Sequence, residues 1–146
     1  MSYLEEVEQA ASFAPLASLR EYFGFVPNLF RAQTLLPRVI EAEAGIAASV
    51  FKEKALSRIR KERILLALAA AKRNPYGVTA HYQMLNLSGV PEEQLDQIVS
   101  DYRQADLLPA DSALLEFALK LGTDGKAHVE VRWRILQFAI NATFRH

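Results

Sequence analysis

Cysteine is missing altogether from this 146-residue sequence. Its absence excludes disulfide bonds, thiolate-bound metals and every reaction in which a cysteine thiol is the nucleophile. The redox compartment in which the protein works therefore cannot be inferred from cysteine usage.

An excess of either charge is missing as well. Lysine and arginine together number 17, as do aspartate and glutamate, so the formal net charge is zero. This balance gives no electrostatic reason to expect a nucleic-acid partner or an anionic membrane. Residues 52–63 are locally basic, but no stacking aromatics accompany them, and we interpret them as the solvated start of a helix.

Long hydrophobic runs are also absent. The most apolar stretch, residues 64–71, is far too short to span a membrane. The beginning of the chain carries Glu5, Glu6 and Glu8 instead of the basic residues that open a signal peptide. We therefore expect one cytoplasmic domain covering residues 1–146, with enough apolar residues for a core.

Residues 57–87 form the central part of the sequence and predict two helices joined by a sharp turn. Residues 64–71 are apolar and nearly all strong helix formers, so we expect this helix to be buried almost all round. Ser57 is a suitable N-cap for it. Because a residue before proline is driven out of the helical region, Asn74 followed by Pro75 ends the first helix and caps a second one, which runs to about Leu87.

Two ionisable side chains on these helices are candidates for chemistry. Glu62 shares a helix face with Leu66, which places it at the rim of the buried region or inside it with a partner. The alternative is a surface ion pair with Arg58 or with a neighbour four positions away on the helix. His81 lies four residues after Gly77 on the same helix face, and it is either functional or a packed histidine.

This spacing resembles a known family motif. Glu62 is followed by eleven residues and then by residues 74–81 (NPYGVTAH). The pattern is similar to the core of the carboxymuconolactone decarboxylase and AhpD-like alkylhydroperoxidase superfamily. Its peroxidase branch has a glutamate, eleven residues and Cys-x-x-Cys-x-x-x-His. Here Asn74 and Gly77 stand at the two cysteine positions.

The flanking sequence extends the resemblance to residues 23–121. Residues 25–30 (FVPNLF) and 89–93 (GVPEE) are similar to the flanks of peroxidase-related members. The resemblance implies an all-α fold, an AhpD-like helical bundle with orthogonal helices around a buried central helix pair. It also implies assembly into a homo-oligomer, a dimer, trimer or hexamer.

The resemblance also implies roles for the central residues. In the peroxidase branch the glutamate and histidine relay protons to the cysteine pair. An amide and a glycine cannot replace the thiols, so we expect no thiol peroxidase turnover. Glu62 and His81 retain the proton relay, and Asn74 and Gly77 would border a pocket opened by the missing sulfurs, with Tyr76 lining it. Asn74 is most simply explained as an N-cap. Gly77 is explained by close packing, by an open pocket or by drift after loss of function.

Three functional hypotheses follow from these residues. The first is an AhpD-like, peroxidase-related protein without its redox centre. The second is an acid–base enzyme, similar to the decarboxylase branch, that uses Glu62 and His81 on a small carboxylated substrate. That branch carries an acidic residue where Gly77 stands here. The third is a non-catalytic protein that binds a small ligand or assembles with itself.

No cofactor or metal is predicted. Glu62 and His81 supply only two ligands, and His128 and His146 lie in or near the end of the chain, where neither is a good third.

The remaining segments predict further helices. Residues 1–22 are predicted to form an N-terminal arm or helix. Its helical segment, Pro15 to Phe23, is expected to end at Gly24. Asn28 is a possible cap for a short helix, and Pro37 begins the next one, which reaches Phe51. Helices are also predicted over residues 91–102 and from Ala110 or Asp111 to Leu121, the latter ending at Gly122. Residues 128–135 alternate like a strand, whereas the family resemblance implies a helix there.

Overall fold

The computed structural model describes residues 16–17, 20–21, 24–33, 36–52 and 55–125. The chain divides into two compact units, Met1–Lys52 and Glu53–His146. Helices and short connections make up the described ranges, and no strand occurs in them. The all-α prediction is therefore confirmed, while the single domain over residues 1–146 stays a prediction.

The first unit contains two described helices, α1 (Asn28–Ala32) and α2 (Pro37–Phe51). Proline at the first position of α2 agrees with the predicted start, because its missing N–H is not needed there. Asn28 is not a cap. It is the first residue of α1, and Pro27 precedes it without a side-chain cap.

A small apolar core holds the first unit together. Leu16 and Ile40 are buried in it, and Val26 and Phe30 pack against them. Before α1, the predicted stop at Gly24 is confirmed, since its φ is +77° and its N–H donates to the Arg20 carbonyl over 2.8 Å. A left-handed residue of this kind satisfies a terminal carbonyl at the end of a helix.

The second unit contains four described helices and a 3₁₀ turn. These are α3 (Arg58–Ala71), α4 (Pro75–Leu87), α5 (Glu92–Asp101), the turn Tyr102–Gln104 and α6 (Pro109–Asp124). The Ser57 hydroxyl accepts the N–H of Arg60 over 3.4 Å, which confirms the cap of α3. The cap and the first residue of α4 are also as predicted.

The core of the second unit lies where α3 meets α4, α5 and α6. Its fully buried members include Leu66, Leu85 and Leu95. Burial of α3 is less complete than expected, since residues 66, 67 and 69 are buried whereas Ala71 is exposed. One face of the C-terminal end of α3 thus reaches the surface.

The end of α6 differs from the prediction. Gly122 lies inside the helix, which continues to Asp124 and ends at Gly125 with φ +66°. A Cβ at Gly122 would collide with the Leu68 side chain. Gly122 therefore allows α6 to approach α3, and Gly125 supplies the left-handed residue that ends the helix.

Two predicted segments fall largely outside the described residues. These are the N-terminal arm, of which only residues 16–17 and 20–21 are described as helical, and residues 128–146. Within the described part of the chain, no helix is long and apolar enough to cross a membrane.

Candidate acid–base site

Glu62 and His81 meet between α3 and α4. Nδ1 of His81 lies 2.8 Å from Oε2 of Glu62, although the two residues are 19 positions apart in the sequence. The Glu62 side chain is only 4% exposed, and the His81 side chain is 25% exposed. The structure therefore brings together the two residues that the motif singled out.

The burial of Glu62 shows that this residue lies inside the second unit. It does not form a surface ion pair, because its side chain is enclosed by the second unit and faces His81. A buried carboxylate is costly unless it is paired and hydrogen-bonded, and the imidazole supplies that partner. Since Nδ1 is engaged by the carboxylate, Nε2 is the nitrogen that can exchange a proton with a ligand.

The turn between α3 and α4 fixes the relative position of the pair. Arg73 adopts φ +53°, a left-handed conformation that is uncommon outside glycine. The N–H of Asn74 then donates to the Ala69 carbonyl over 2.9 Å. The Asn74 side chain in turn accepts the N–H of Gly77 over 3.1 Å. These bonds close one helix and open the next within three residues, so α4 folds back against α3.

Gly77 lies directly against α3. A Cβ added to it would lie 3.0 Å from the Cβ of Ala69 and 3.2 Å from the amide nitrogen of Asn74. Such contacts are tighter than ordinary packing, so the glycine serves the close approach of the two helices. The expected open space does not extend along the side-chain direction of Gly77.

The other predicted pocket residues lie near the surface. Asn74 is exposed, and its side chain is used as the α4 cap. Tyr76 is 46% exposed. That Asn74, Gly77 and Tyr76 border a ligand pocket stays a prediction.

A second buried charge was not recognised in the sequence. Asp111 in the first turn of α6 is 6% exposed. It accepts Nε of Arg60 over 2.6 Å and Nη1 of Arg63 over 3.4 Å. Arg63 also donates to Oε1 of Gln94 over 2.6 Å. Part of the basic stretch is thus an internal ion-pair network, and its interpretation as a solvated surface was wrong for Arg63, whose side chain is 17% exposed.

Asp111 lies 51 positions after Arg60 and 48 positions after Arg63 in the sequence. No local sequence pattern predicts such a pairing. The only signal is an aspartate in the first turn of a predicted helix, where it also complements the helix dipole. In the described ranges as a whole, no group of three or more histidine, aspartate or glutamate side chains is placed to hold a metal ion.

Comparisons with known proteins show which fold this chain shares with solved structures. No protein-family model matches the sequence, and no curated protein matches it either. Solved structures do match. The AhpD core of a peroxidase-related protein from Ralstonia eutropha JMP134 has a TM-score of 0.80 and 25% sequence identity, over 92% of this chain and 74% of that one.

Two further structures show the same fold at lower identity. A peroxidase-related protein from Silicibacter sp. TM1040 has a TM-score of 0.78 and 17% identity, covering 94% of this chain and 78% of its own. The debrominase Bmp8, a cysteine-to-alanine variant in complex with 2,3,4-tribromopyrrole, has a TM-score of 0.80 and 16% identity, covering 94% and 76%.

These similarities define an all-α protein with the AhpD-like fold and a buried glutamate–histidine pair. The fold and the motif spacing support a relationship with the AhpD-like superfamily, and the chain carries asparagine and glycine where the peroxidase motif has its two cysteines.

Proposed function

We propose that this protein is an AhpD-like acid–base protein without thiol peroxidase turnover. In this proposal, Glu62 and His81 transfer a proton to and from a small carbonyl or carboxylate compound. The observation that carries the proposal is the 2.8 Å contact between Oε2 of a buried Glu62 and Nδ1 of a partly exposed His81.

The arrangement suits a general base held by a second group. With Nδ1–H donating to the Glu62 carboxylate, the lone pair of His81 is on Nε2, where it can accept a proton. The carboxylate then faces the imidazolium that forms.

The proposed step moves one proton. A C–H bond next to the carbonyl group breaks, its electron pair stays on the substrate as an enolate, and a new N–H bond forms at Nε2 of His81. Return of the proton to another carbon gives an isomer. In a decarboxylation, the C–C bond to the carboxylate breaks in place of a C–H bond, CO₂ leaves, and the electron pair stays on the substrate as an enolate. His81, protonated beforehand by solvent, then gives its proton to the enolate carbon. Neither route needs a thiol.

The test is proton exchange from solvent. The protein is incubated in D₂O with a panel of small keto acids and unsaturated lactones, and loss of the proton signal next to the carbonyl is followed by NMR. His81→Ala should reduce exchange by roughly 10²–10⁴-fold, the usual contribution of a general base. Glu62→Gln should reduce it less, because the imidazole remains.

A matched control is Gln83→Ala, which removes an exposed side chain from the same helix. It should leave exchange unchanged, and far-UV circular dichroism should show that all three variants keep their helices. Exchange that persists undiminished in His81→Ala would rule out the proposed base.

A second candidate function is small-ligand binding without turnover. One observation favours it, since the structurally similar debrominase Bmp8 holds a small halogenated pyrrole. Saturable binding of such a ligand to both the parent and His81→Ala, with no exchange by either, would support this candidate over the first. We also propose a homo-oligomer in the cytoplasm, with a small molecule as the ligand or substrate.

A further inference from the structure

A separate cavity of about 280 Å³ lies in the second unit, between α3, α5, the 3₁₀ turn and α6. Its floor consists of methyl groups from Ala67, Ala70 and Ala71, and Ile98 and Leu119 add apolar walls. Its volume is close to the lower limit of small-molecule sites, about 300 Å³. The described residues that line it do not include the glutamate–histidine pair.

Tyr102 is the polar group that distinguishes this cavity from a packing defect. The residue is only 8% exposed and lines the cavity. The Arg103 guanidinium lies 5.0 Å from its ring centre, and its hydroxyl donates to no other described residue. The hydroxyl oxygen is accessible and is not sealed in the core, so a molecule in the cavity can accept its proton.

The charges around Tyr102 cancel in pairs. Asp101 accepts the backbone N–H of Arg103 over 3.2 Å and its Nη1 over 3.3 Å. Lys120 donates to Glu116 over 2.9 Å. The rim therefore offers no net charge to an ionic ligand. Burial raises the pKa of Tyr102, so the hydroxyl stays protonated and acts as a hydrogen-bond donor.

We infer that this cavity binds a compact, uncharged, largely apolar molecule that carries one carbonyl oxygen. The apolar body lies on the alanine floor of α3, and the carbonyl oxygen accepts the hydroxyl proton of Tyr102. This site is independent of the proposed acid–base function.

The experiment is a ¹H–¹⁵N NMR titration of the full chain with two matched probes, acetophenone and ethylbenzene. The two molecules have the same ring and similar size, but only acetophenone has an acceptor. Acetophenone should shift the amide signals of residues 67–71 and 98–103 saturably. It should bind roughly tenfold more tightly than ethylbenzene, the effect of one buried hydrogen bond.

Two variants separate the parts of the site. Tyr102→Phe removes only the hydroxyl, and it should reduce acetophenone affinity to that of ethylbenzene while leaving ethylbenzene unchanged. Ala70→Leu fills the cavity and should abolish both. His81→Ala should change neither affinity, which distinguishes this cavity from the acid–base site.

Three outcomes would overturn the inference. One is the absence of saturable shifts with acetophenone in the parent chain. Another is a ratio of the two affinities that Tyr102→Phe does not change. The third is tighter binding of benzoate or benzylamine than of acetophenone, since the site would then select a charge. The Tyr102→Phe comparison stands even if Ala70→Leu fails to fold.

Discussion

Gly77 shows how much one missing methyl group determines at this site. It stands where the peroxidase motif has its second cysteine, and its α-carbon faces the methyl group of Ala69. A side chain at position 77 would therefore require its neighbours to give way by a few tenths of an ångström. The departure from the motif concerns packing as well as chemistry, because a restored cysteine would need this adjustment between α3 and α4.

We predict that Gly77→Ala destabilises the protein. Glycine to alanine inside a helix ordinarily stabilises by about 1 kcal/mol. Here the added Cβ would lie 3.0 Å from that of Ala69, and overpacking costs about 1–3 kcal/mol. The exchanged pair Ala69→Gly/Gly77→Ala should recover most of the loss, as measured by urea unfolding. A stabilised Gly77→Ala would show that the helices separate easily.

A second prediction at this scale concerns hydroperoxide. The native chain should consume none above the buffer rate in the presence of a dithiol reductant, because it has no cysteine. Asn74→Cys/Gly77→Cys restores both thiols but also removes the cap of α4, at a cost of about 1 kcal/mol. Adding Ala69→Gly should relieve the clash and allow turnover.

The control for this prediction is His81→Ala in the triple variant. It should remove most of the restored turnover, since the proton relay would be lost while the thiols remain. Hydroperoxide consumption by the unmodified chain would contradict the absence of thiol chemistry argued here.

At the scale of helices, features set by neighbouring residues were predicted better than contacts between residues far apart in the sequence. The caps Ser57 and Asn74 and the start at Pro75 are read from neighbouring residues, and the structure has them. Gly122 was misassigned because its partner Leu68 lies on another helix. A glycine that ends a helix and one that admits a neighbouring side chain are the same in sequence.

The pairing of Glu62 with His81 falls between these cases. Periodicity placed each residue on a helix face but left a surface ion pair open for the glutamate. Only the motif spacing favoured the pairing seen in the structure. The Asp111 network had no motif, and its one local signal, an aspartate in the first turn of a helix, does not identify the arginine partners.

We predict that Gly122→Ala destabilises the protein by about 1–3 kcal/mol through collision with Leu68. In a Leu68→Ala background the same change should be neutral or stabilising, because the obstacle is gone and alanine is the better helix former. A double-mutant cycle by urea unfolding measures this coupling. Additive effects would mean that Leu68 simply rotates away.

The ion-pair network tests how α3 and α6 are held together. Asp111→Asn leaves Arg63, which is 17% exposed, and Arg60, which is 37% exposed, facing a neutral amide. Removing one partner of a fully buried ion pair costs about 3–5 kcal/mol. Because solvent screens Arg60, we expect a smaller loss of about 1–3 kcal/mol by chemical denaturation. As the control, Lys120→Gln in a more exposed pair should cost under about 1 kcal/mol.

At the scale of the whole molecule, two tyrosines, Tyr82 and Tyr102, link the stability of the fold to pH. Tyr82 donates to Oδ1 of Asp96 over 2.9 Å, and this bond raises the pKa of Tyr82. Burial raises the pKa of Tyr102 as well. Both tyrosines therefore keep their protons in the folded protein at a pH where the unfolded chain loses them.

The sign of the effect follows from proton binding. Between the unfolded pKa of about 10 and the higher folded values, the folded state binds more protons than the unfolded state. The stabilisation is complete below about pH 10 and is lost as the pH rises through the folded values. We therefore predict that the urea midpoint falls steeply above about pH 10.

The variants Tyr82→Phe and Tyr102→Phe should each make this fall shallower. The reason is that phenylalanine has no proton to lose above about pH 10. Below about pH 10, Tyr82→Phe should also lower the urea midpoint, because it removes the hydrogen bond to Asp96. Gln83→Ala is the control, since it changes an exposed side chain that carries no ionisable group, and it should leave the slope unchanged. If all three variants retained the full alkaline loss, groups other than Tyr82 and Tyr102 would govern the pH dependence of unfolding.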